Sequence, residues 1–414
     1  KVAAHGLYVS LSVAQIMSKN SITIAHYKTC VEAVLLMANS HIRHLPIVKN
    51  DQVIGVVTAA DLLRKQNHNV VFLINEILVS KSVEELESIA TQVPLLLQSS
   101  YRSNMDEHDI AYSISSVGRS INQQLLKQAE EILGQPPVPY AWVVAGSLAR
   151  SEQIAHSDQD NLLIISDDYN EKEHGEYFAN LAKYVCDGLN ACGYVYCPGD
   201  VMAVNKKWRQ PVSVWQSYFN QWIDSPDPKA LMYASIFFDL KCIYGEQELL
   251  SDLLSSMLDR TVKNTIFQSH MANNAQHYTP PLGFFRNFIL DSNGVNEKSL
   301  DLKKKGVVPI VDFARVYALS CGIKSINTQD RLKELASSSC LSTSGSNDLI
   351  EAYKFINLVR IKHQSNQIKT KQNIDNFVLI KEISSLDKKH LKDAFSIVSD
   401  MQSAMRSQYQ TSIL

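Results

Sequence analysis

The sequence predicts an α+β protein built as a βαββα unit, a helical linker, an α/β domain with a mixed sheet and a C-terminal helical bundle. Three observations predict it. Residues 12–64 alternate short β-rich runs with one amphipathic stretch. From Val70 to about Leu133 apolar residues recur three and four apart, as in Val83, Leu86, Ile89 and Val93. After a Pro-rich break, strand-like and helix-like stretches mix, and beyond about residue 262 strand signals become few.

Each element has its local reason. In the first unit, Ser21 to Ile24, His44 to Val48 and Val53 to Thr58 read as strands, and Thr29 to Ser40 as a helix. Lys49-Asn50-Asp51-Gln52 lies between two apolar runs and reads as a hairpin loop. Gly134-Gln135-Pro136-Pro137 stops the long helical stretch, because proline lacks the N–H that a continuing helix needs. Tyr140 to Ala145 is a buried-strand run, Asn161 to Ile165 a second, and Glu173 to Ala191 a helix. The Ser-rich patch Ser337 to Ser346 reads as a loop. The resulting boundaries are 1–68, 69–136, 137–260 and 261–414.

Composition narrows the function. With 45% hydrophobic and 20% charged residues over 414, the chain is a globular protein of more than one core. A formal net charge of -2 argues against a broad nucleic-acid footprint, which needs clustered cations to displace counterions. No apolar run is long enough to span a bilayer, and no signal-peptide pattern opens the chain, so a cytoplasmic location is expected. Seven scattered cysteines without a CxxC pair argue against a disulfide framework. The triplet Cys186, Cys192 and Cys197 matches no common zinc spacing and is expected to be free thiols. Because Lys1 opens the chain, a piece of a longer protein is expected.

The sharpest chemistry is Gly146-Ser147-Leu148-Ala149-Arg150-Ser151-Glu152-Gln153 followed by Ser157-Asp158-Gln159-Asp160-Asn161. A Gly-Ser step between a strand and a helix lets a triphosphate approach backbone N–H groups. Asp158 and Asp160, two apart at the start of a strand, leave the same face and can converge on a divalent cation. Taken singly, an Asp-x-Asp pair is also a common turn and Gly-Ser is common anywhere. Their order carries the reading.

These residues, with Cys197-Pro198-Gly199, Val201-Met202, Trp208-Arg209 and Phe237-Phe238-Asp239-Leu240, resemble the nucleotidyltransferase domain that accompanies CBS domains. That domain is similar to the uridylyltransferase of the PII signalling protein, in the polymerase-β-like superfamily. The resemblance implies Mg²⁺ (or Mn²⁺) on Asp158 and Asp160, with Asp239 as a third carboxylate or, alternatively, a structural partner of Arg or Lys. It implies Gly146 and Ser147 around the triphosphate. Arg150 would stand near the phosphates or pair with Glu152. Two departures are Ala149, where the family commonly has Gly, and Lys241 in place of Arg.

Ile42 to Val48 and Gly55-Val56-Val57-Thr58-Ala59-Ala60-Asp61-Leu62, with Val13 to Met17, resemble a CBS domain, the second of a pair whose first member would end near Leu7. That implies an adenine nucleotide at Thr58 and Asp61, hydroxyl toward phosphate and carboxylate toward ribose, although both residues also suit a helix N-cap. Leu282 to Gln402 resembles the family's helical substrate-binding domain through Gly306 to Asp312, Arg315, Asn327-Thr328, Arg331-Leu332 and Leu358 to Gln364. Arg360 and Gln364, one turn apart, and more weakly His363, would reach the nucleotide or else bond between helices.

The expected activity is transfer of a nucleoside monophosphate from an NTP to a hydroxyl of a protein or small molecule, regulated at the CBS unit, in a homodimer. The alternative is an inactive nucleotide sensor using the same fold as scaffold. Nucleotide hydrolysis is a third option.

Overall fold

The computed structural model describes residues 12, 17, 21–58, 69–155, 157–283, 287–293 and 296–409. The chain divides into two compact units, Lys1–Val71 and Phe72–Leu414.

In the first unit, β1 (Ile24–Ala25) is shorter than the Ser21 to Ile24 expected and lies later, whereas α1 (Cys30–Asn39), β2 (His44–Lys49) and β3 (Gln52–Thr58) follow the sequence reading closely. Thr29 starts α1 with a capping box: its hydroxyl accepts from Glu32 N at 3.2 Å and Glu32 accepts from Thr29 N at 2.8 Å. The hairpin turns through Asn50 and Asp51, both at positive φ (48° and 58°), the pattern of a type I′ turn matched to strand twist. The sheet order is β1-β2-β3, parallel then antiparallel, over a core of Ile24, Ala33, Val34, Met37 and Leu45. Thr58 closes β3 opposite His44. Asp61, most of Val13 to Met17 and the segment before Leu7 lie outside the described residues.

The chain continues through α2 (Asn69–Val79), α3 (Val83–Ala90), α4 (Val93–Arg102) and the long α5 (Glu107–Leu133), which ends at Gly134 with φ +86°. Then come β4 (Tyr140–Ala145), the single turn α6 (Gly146–Ala149), β5 (Asn161–Ile165) and α7 (Glu171–Ala191). Next are β6 (Arg209–Pro211), α8 (Val212–Asp224), α9 (Pro228–Phe237) and β7 (Leu240–Gly245). The mixed sheet runs β6-β5-β4-β7, with β5 parallel to β6 and the other pairs antiparallel. Every residue of β4 and β5 is buried, which is why both read as unbroken apolar runs. Helix α5 backs the sheet: Trp142 Nε1 donates to Asn122 Oδ1 at 3.2 Å, and Gln123 Nε2 to the Ile243 carbonyl at 2.8 Å. Pairing of Val144 with Asn161 brings the end of β4 beside the start of β5, so Gly146 and Asp160 share one edge.

The remainder comprises α10 (Glu248–Lys263), α11 (Thr265–Asn274), β8 (Asp291–Asn293), β9 (Asn296–Asp301), a π-helical turn Lys303–Val307, α12 (Val308–Cys321), α13 (Thr328–Ser337), α14 (Thr343–Thr370), β10 (Phe377–Leu379) and α15 (Ser385–Gln408). One apolar core runs without a break from Val143 and Leu162 in the sheet to Phe395 and Met405 in α15. Three expectations need correction here. The helical part carries a small antiparallel sheet, β10-β9-β8: β8 and β9 are polar and β10 is only three residues, so none gives an alternation to read. The Ser-rich patch is a loop only over residues 338–342: Ser337 ends α13, and Thr343 already begins α14, because the Ser342 hydroxyl accepts from Gly345 N and caps it. Cys321 and Cys340 form a disulfide, their Cα atoms brought to 6.6 Å as the chain folds back after α13. Cys186 and Cys192 are buried free thiols.

Candidate active site

The site begins with the backbone of Gly146. Its φ is +60°, and a Cβ there would stand 3.0 Å from Asp160 Oδ2, so glycine supplies both the left-handed conformation and the space the carboxylate occupies. Its N–H donates to the Asp239 carbonyl at 3.2 Å, so the residue contributes room more than a donor. Ser147 follows, half-buried, at the start of α6. Ala149 is buried in α6 and is absent from the positive-φ residues, so its methyl costs no backbone strain.

Asp158 and Asp160 are held from beneath by the residues between and after them. Asp158 bridges Val195, and Gln159 N donates to the Val195 carbonyl at 3.0 Å. Gln159 Nε2 reaches the carbonyls of Cys186 and Tyr194, and Asn161 Oδ1 accepts from Ala203 N at 2.8 Å. With Gln159 and Asn161 turned into the protein and buried, the aspartates face the other way. One ligand atom from each of Asp158, Asp160 and Cys197 lies within 4.8 Å of the others. Burial, and next the neighbouring Asp158, push the Asp160 carboxyl up to about 6. Burial and Asp160 push the Cys197 thiol up to about 11, which keeps it a protonated donor toward Asp160. Two crowded carboxylates with a neutral thiol suit a hard divalent cation better than zinc, which prefers thiolate.

Asp239 does not join this group. It is fully buried, and Oδ2 accepts from Arg315 Nη2 at 2.6 Å, Arg315 Nε at 3.1 Å and Arg150 Nη1 at 2.8 Å. Arg331 Nη2 lies 2.7 Å from Oδ1. Burial alone would raise its carboxyl, but the three guanidiniums hold it well below the usual range. Arg150 is engaged inside the protein, as the alternative of a Glu152 pair expects: besides Asp239, its Nε pairs with Glu152 at 2.7 Å. Asn327 Nδ2 donates to the Arg150 carbonyl at 2.9 Å and Glu152 Oε1 accepts from Thr328 N at 2.7 Å. Arg150, Glu152, Asp239, Arg315, Asn327, Thr328 and Arg331 thus form one buried network joining the sheet domain to α12 and α13.

Three family models match the chain in sequence order: a CBS domain over residues 13–68, "Putative nucleotidyltransferase DUF294" over 91–229, and "Putative nucleotidyltransferase substrate binding domain" over 265–409. The chain belongs to the CBS-linked nucleotidyltransferase family. No curated protein matches it. The nucleotidyltransferase match contains Gly146, Ser147, Asp158 and Asp160, and the CBS match contains Thr58 and Asp61.

Within the substrate-binding domain, the structure turns Arg360, His363 and Gln364 inward. Arg360 bonds Asn357 Oδ1 at 2.6 Å and Asn376 Oδ1 at 2.9 Å, His363 Nε2 lies 3.0 Å from Asp375 Oδ1, and Gln364 Nε2 donates to the Asp375 carbonyl. All three are buried between α14 and the segment before β10, and their bonds run within the helix and from helix to that segment rather than between helices. From this domain, Lys303 is among the cations that lower the Asp160 carboxyl. Nothing in the sequence Lys303-Lys304-Lys305, all three within the π-helical turn, distinguishes one lysine from the next.

Proposed function

We propose that this nucleotidyltransferase moves a nucleoside monophosphate from an NTP to a hydroxyl of a protein or small-molecule acceptor, in a metal-dependent reaction sensitive to adenine nucleotide at its CBS unit. The convergence of Asp158 and Asp160 beside the space left by Gly146 carries this reading. The two carboxylates would hold Mg²⁺ or Mn²⁺, which when bound offsets charge on the phosphates and on the leaving oxygen. The acceptor oxygen forms a bond to the α-phosphorus as the bond to the bridging oxygen breaks; pyrophosphate leaves, and the hydroxyl proton passes to solvent. Ser147 and Lys303 flank the triphosphate, while Arg150 and Asp239 keep the two domains registered around it. At the CBS unit, Thr58 would face phosphate and Asp61 the ribose.

A second reading, a sensor that binds nucleotide without transfer, is favoured by one observation: the arginines around Asp239 leave two free carboxylates at the site, not three. Titration of ATP, UTP, GTP and CTP with and without Mg²⁺, alongside a pyrophosphate-release assay, separates the two. Metal-dependent binding that Asp158→Asn/Asp160→Asn abolishes, with pyrophosphate released when acceptor is present, is the expected result. Absence of metal-dependent binding of any NTP overturns the proposal. Regulation is tested with Asp61→Ala, which should remove any effect of AMP.

A further inference from the structure

A cavity of about 230 Å³ opens between α10 and the junction of α12 with α13. Its walls are apolar, with Leu254, Met257, Leu319 and Ile323 prominent, and Asp158 and Asp160 take no part in its lining. Exposed Ser251, Ser255 and Lys324 stand at its mouth.

Arg331 also lines it, although the residue is only 2% exposed. Its Nε donates to the Ser325 carbonyl at 2.7 Å, and its Nη2 sits 2.7 Å from Asp239 Oδ1 but off the line of a hydrogen bond. Its Nη1 is buried with no hydrogen-bond partner among the described residues. Three arginines share Asp239, and two have a carboxylate of their own: Arg150 has Glu152, and Arg315 has Asp312. Among the described residues Arg331 has none, and burial lowers its pKa despite Asp239. The three arginines and the three carboxylates balance in charge, so what Arg331 lacks is an acceptor: a buried guanidinium N–H left unpaired costs free energy, and an anionic oxygen in the adjoining cavity would supply its partner.

We propose that this cavity binds a small organic anion with an apolar body, a carboxylate carried on a short aliphatic or aromatic frame. The head lies toward Arg331 and Lys324, and the body packs on Leu254, Met257, Leu319 and Ile323. An apolar cavity of about 150 Å³ takes benzene, so this one holds a ligand of roughly ten non-hydrogen atoms. Asp239 stands between the cavity and Gly146, whose N–H it accepts, so the site adjoins the nucleotidyltransferase centre without belonging to it.

Octanoate is a probe of the right size, and 1-octanol is the same body without the charge. Calorimetric titration of the full chain should give saturable 1:1 octanoate binding, with octanol at least about tenfold weaker. Ser255→Trp, at an exposed position on the mouth, should fill the cavity and weaken octanoate at least about tenfold without changing the thermal melt. Failure of octanoate to saturate, octanol binding as tightly as octanoate, or an isotherm untouched by Ser255→Trp would each overturn the proposal.

Discussion

Replacing Asp239 with Asn separates an architectural carboxylate from a catalytic one. The substitution keeps the volume and removes the charge that three guanidiniums share in a fully buried setting. Removing one partner of a buried ion pair leaves the other uncompensated and costs about 3–5 kcal/mol. Unfolding the roughly 340 residues of the larger unit carries an entropy of about 0.7 kcal/mol/K, from about 2.1 cal/mol/K per residue, so the melting temperature should fall by roughly 4–7 °C.

The assay pairs a thermal melt with the Mg²⁺-dependent nucleotide titration, run well below the variant's transition. Asp239→Asn should lose stability and keep its metal-dependent affinity within about threefold, since Asp158 and Asp160 still converge. Asp158→Asn/Asp160→Asn should show the reverse: an unchanged or slightly raised melting temperature, because like charges no longer crowd each other, and no metal dependence. An Asp239→Asn protein that melts like wild type but has lost its metal dependence would refute the reasoning and return Asp239 to the metal site.

Three further expectations follow from single residues. Gly146→Ala puts an L side chain at φ +60°, at a cost of about 1–2 kcal/mol, and pushes its methyl against Asp160. Metal-dependent NTP affinity should drop about tenfold, and an unchanged affinity would show that Asp160 does not need that space. Lys303→Gln should weaken NTP binding by about tenfold at low salt, with the difference narrowing as salt rises; equal titrations at both salts would remove Lys303 from the site. Glu107, buried and next to Asp106, is pushed up to about 8 while accepting a hydrogen bond from Gln329 at 2.8 Å. Because its folded pKa is raised, its contribution is full below about pH 4.5 and is lost as pH rises through about 8, a change approaching about 5 kcal/mol at 1.36 kcal/mol per unit. Melts of Glu107→Gln between pH 5 and 8 should fall less steeply than wild type, and parallel curves would count against the assignment.

The parts of the fold that sequence made legible are those held by local rules. The Thr29 cap, the positive-φ turn at Asn50-Asp51 and the unbroken apolar runs of β4 and β5 each depend on neighbours a few residues away. The pair Asp158 and Asp160 was legible for the same reason, since a spacing of two fixes their common face. Strands β8, β9 and β10 were not, because the polar residues of β8 and β9 give no alternation, and β10 is three apolar residues that pair with a strand far back in the chain.

Motif residues are harder, because a carboxylate's type says nothing of what faces it. Asp239 reads as a metal ligand or as a partner of arginine until the chain 76 residues later places Arg315 against it. Once that contact exists the carboxylate's charge is already met by three guanidiniums, and Oδ2 accepts three of their N–H groups, so a divalent cation would find neither unbalanced charge nor a free Oδ2 there. Arg150 and Arg360 likewise have the chemistry to bind phosphate, and each is engaged by partners inside the protein. A signature can therefore hold two kinds of residue in one row of letters. Asp158, Asp160 and Gly146 shape the space where nucleotide would lie, whereas Arg150, Glu152, Asp239, Arg315 and Arg331 tie the helical part to the sheet, and only the geometry of their partners separates the two sets.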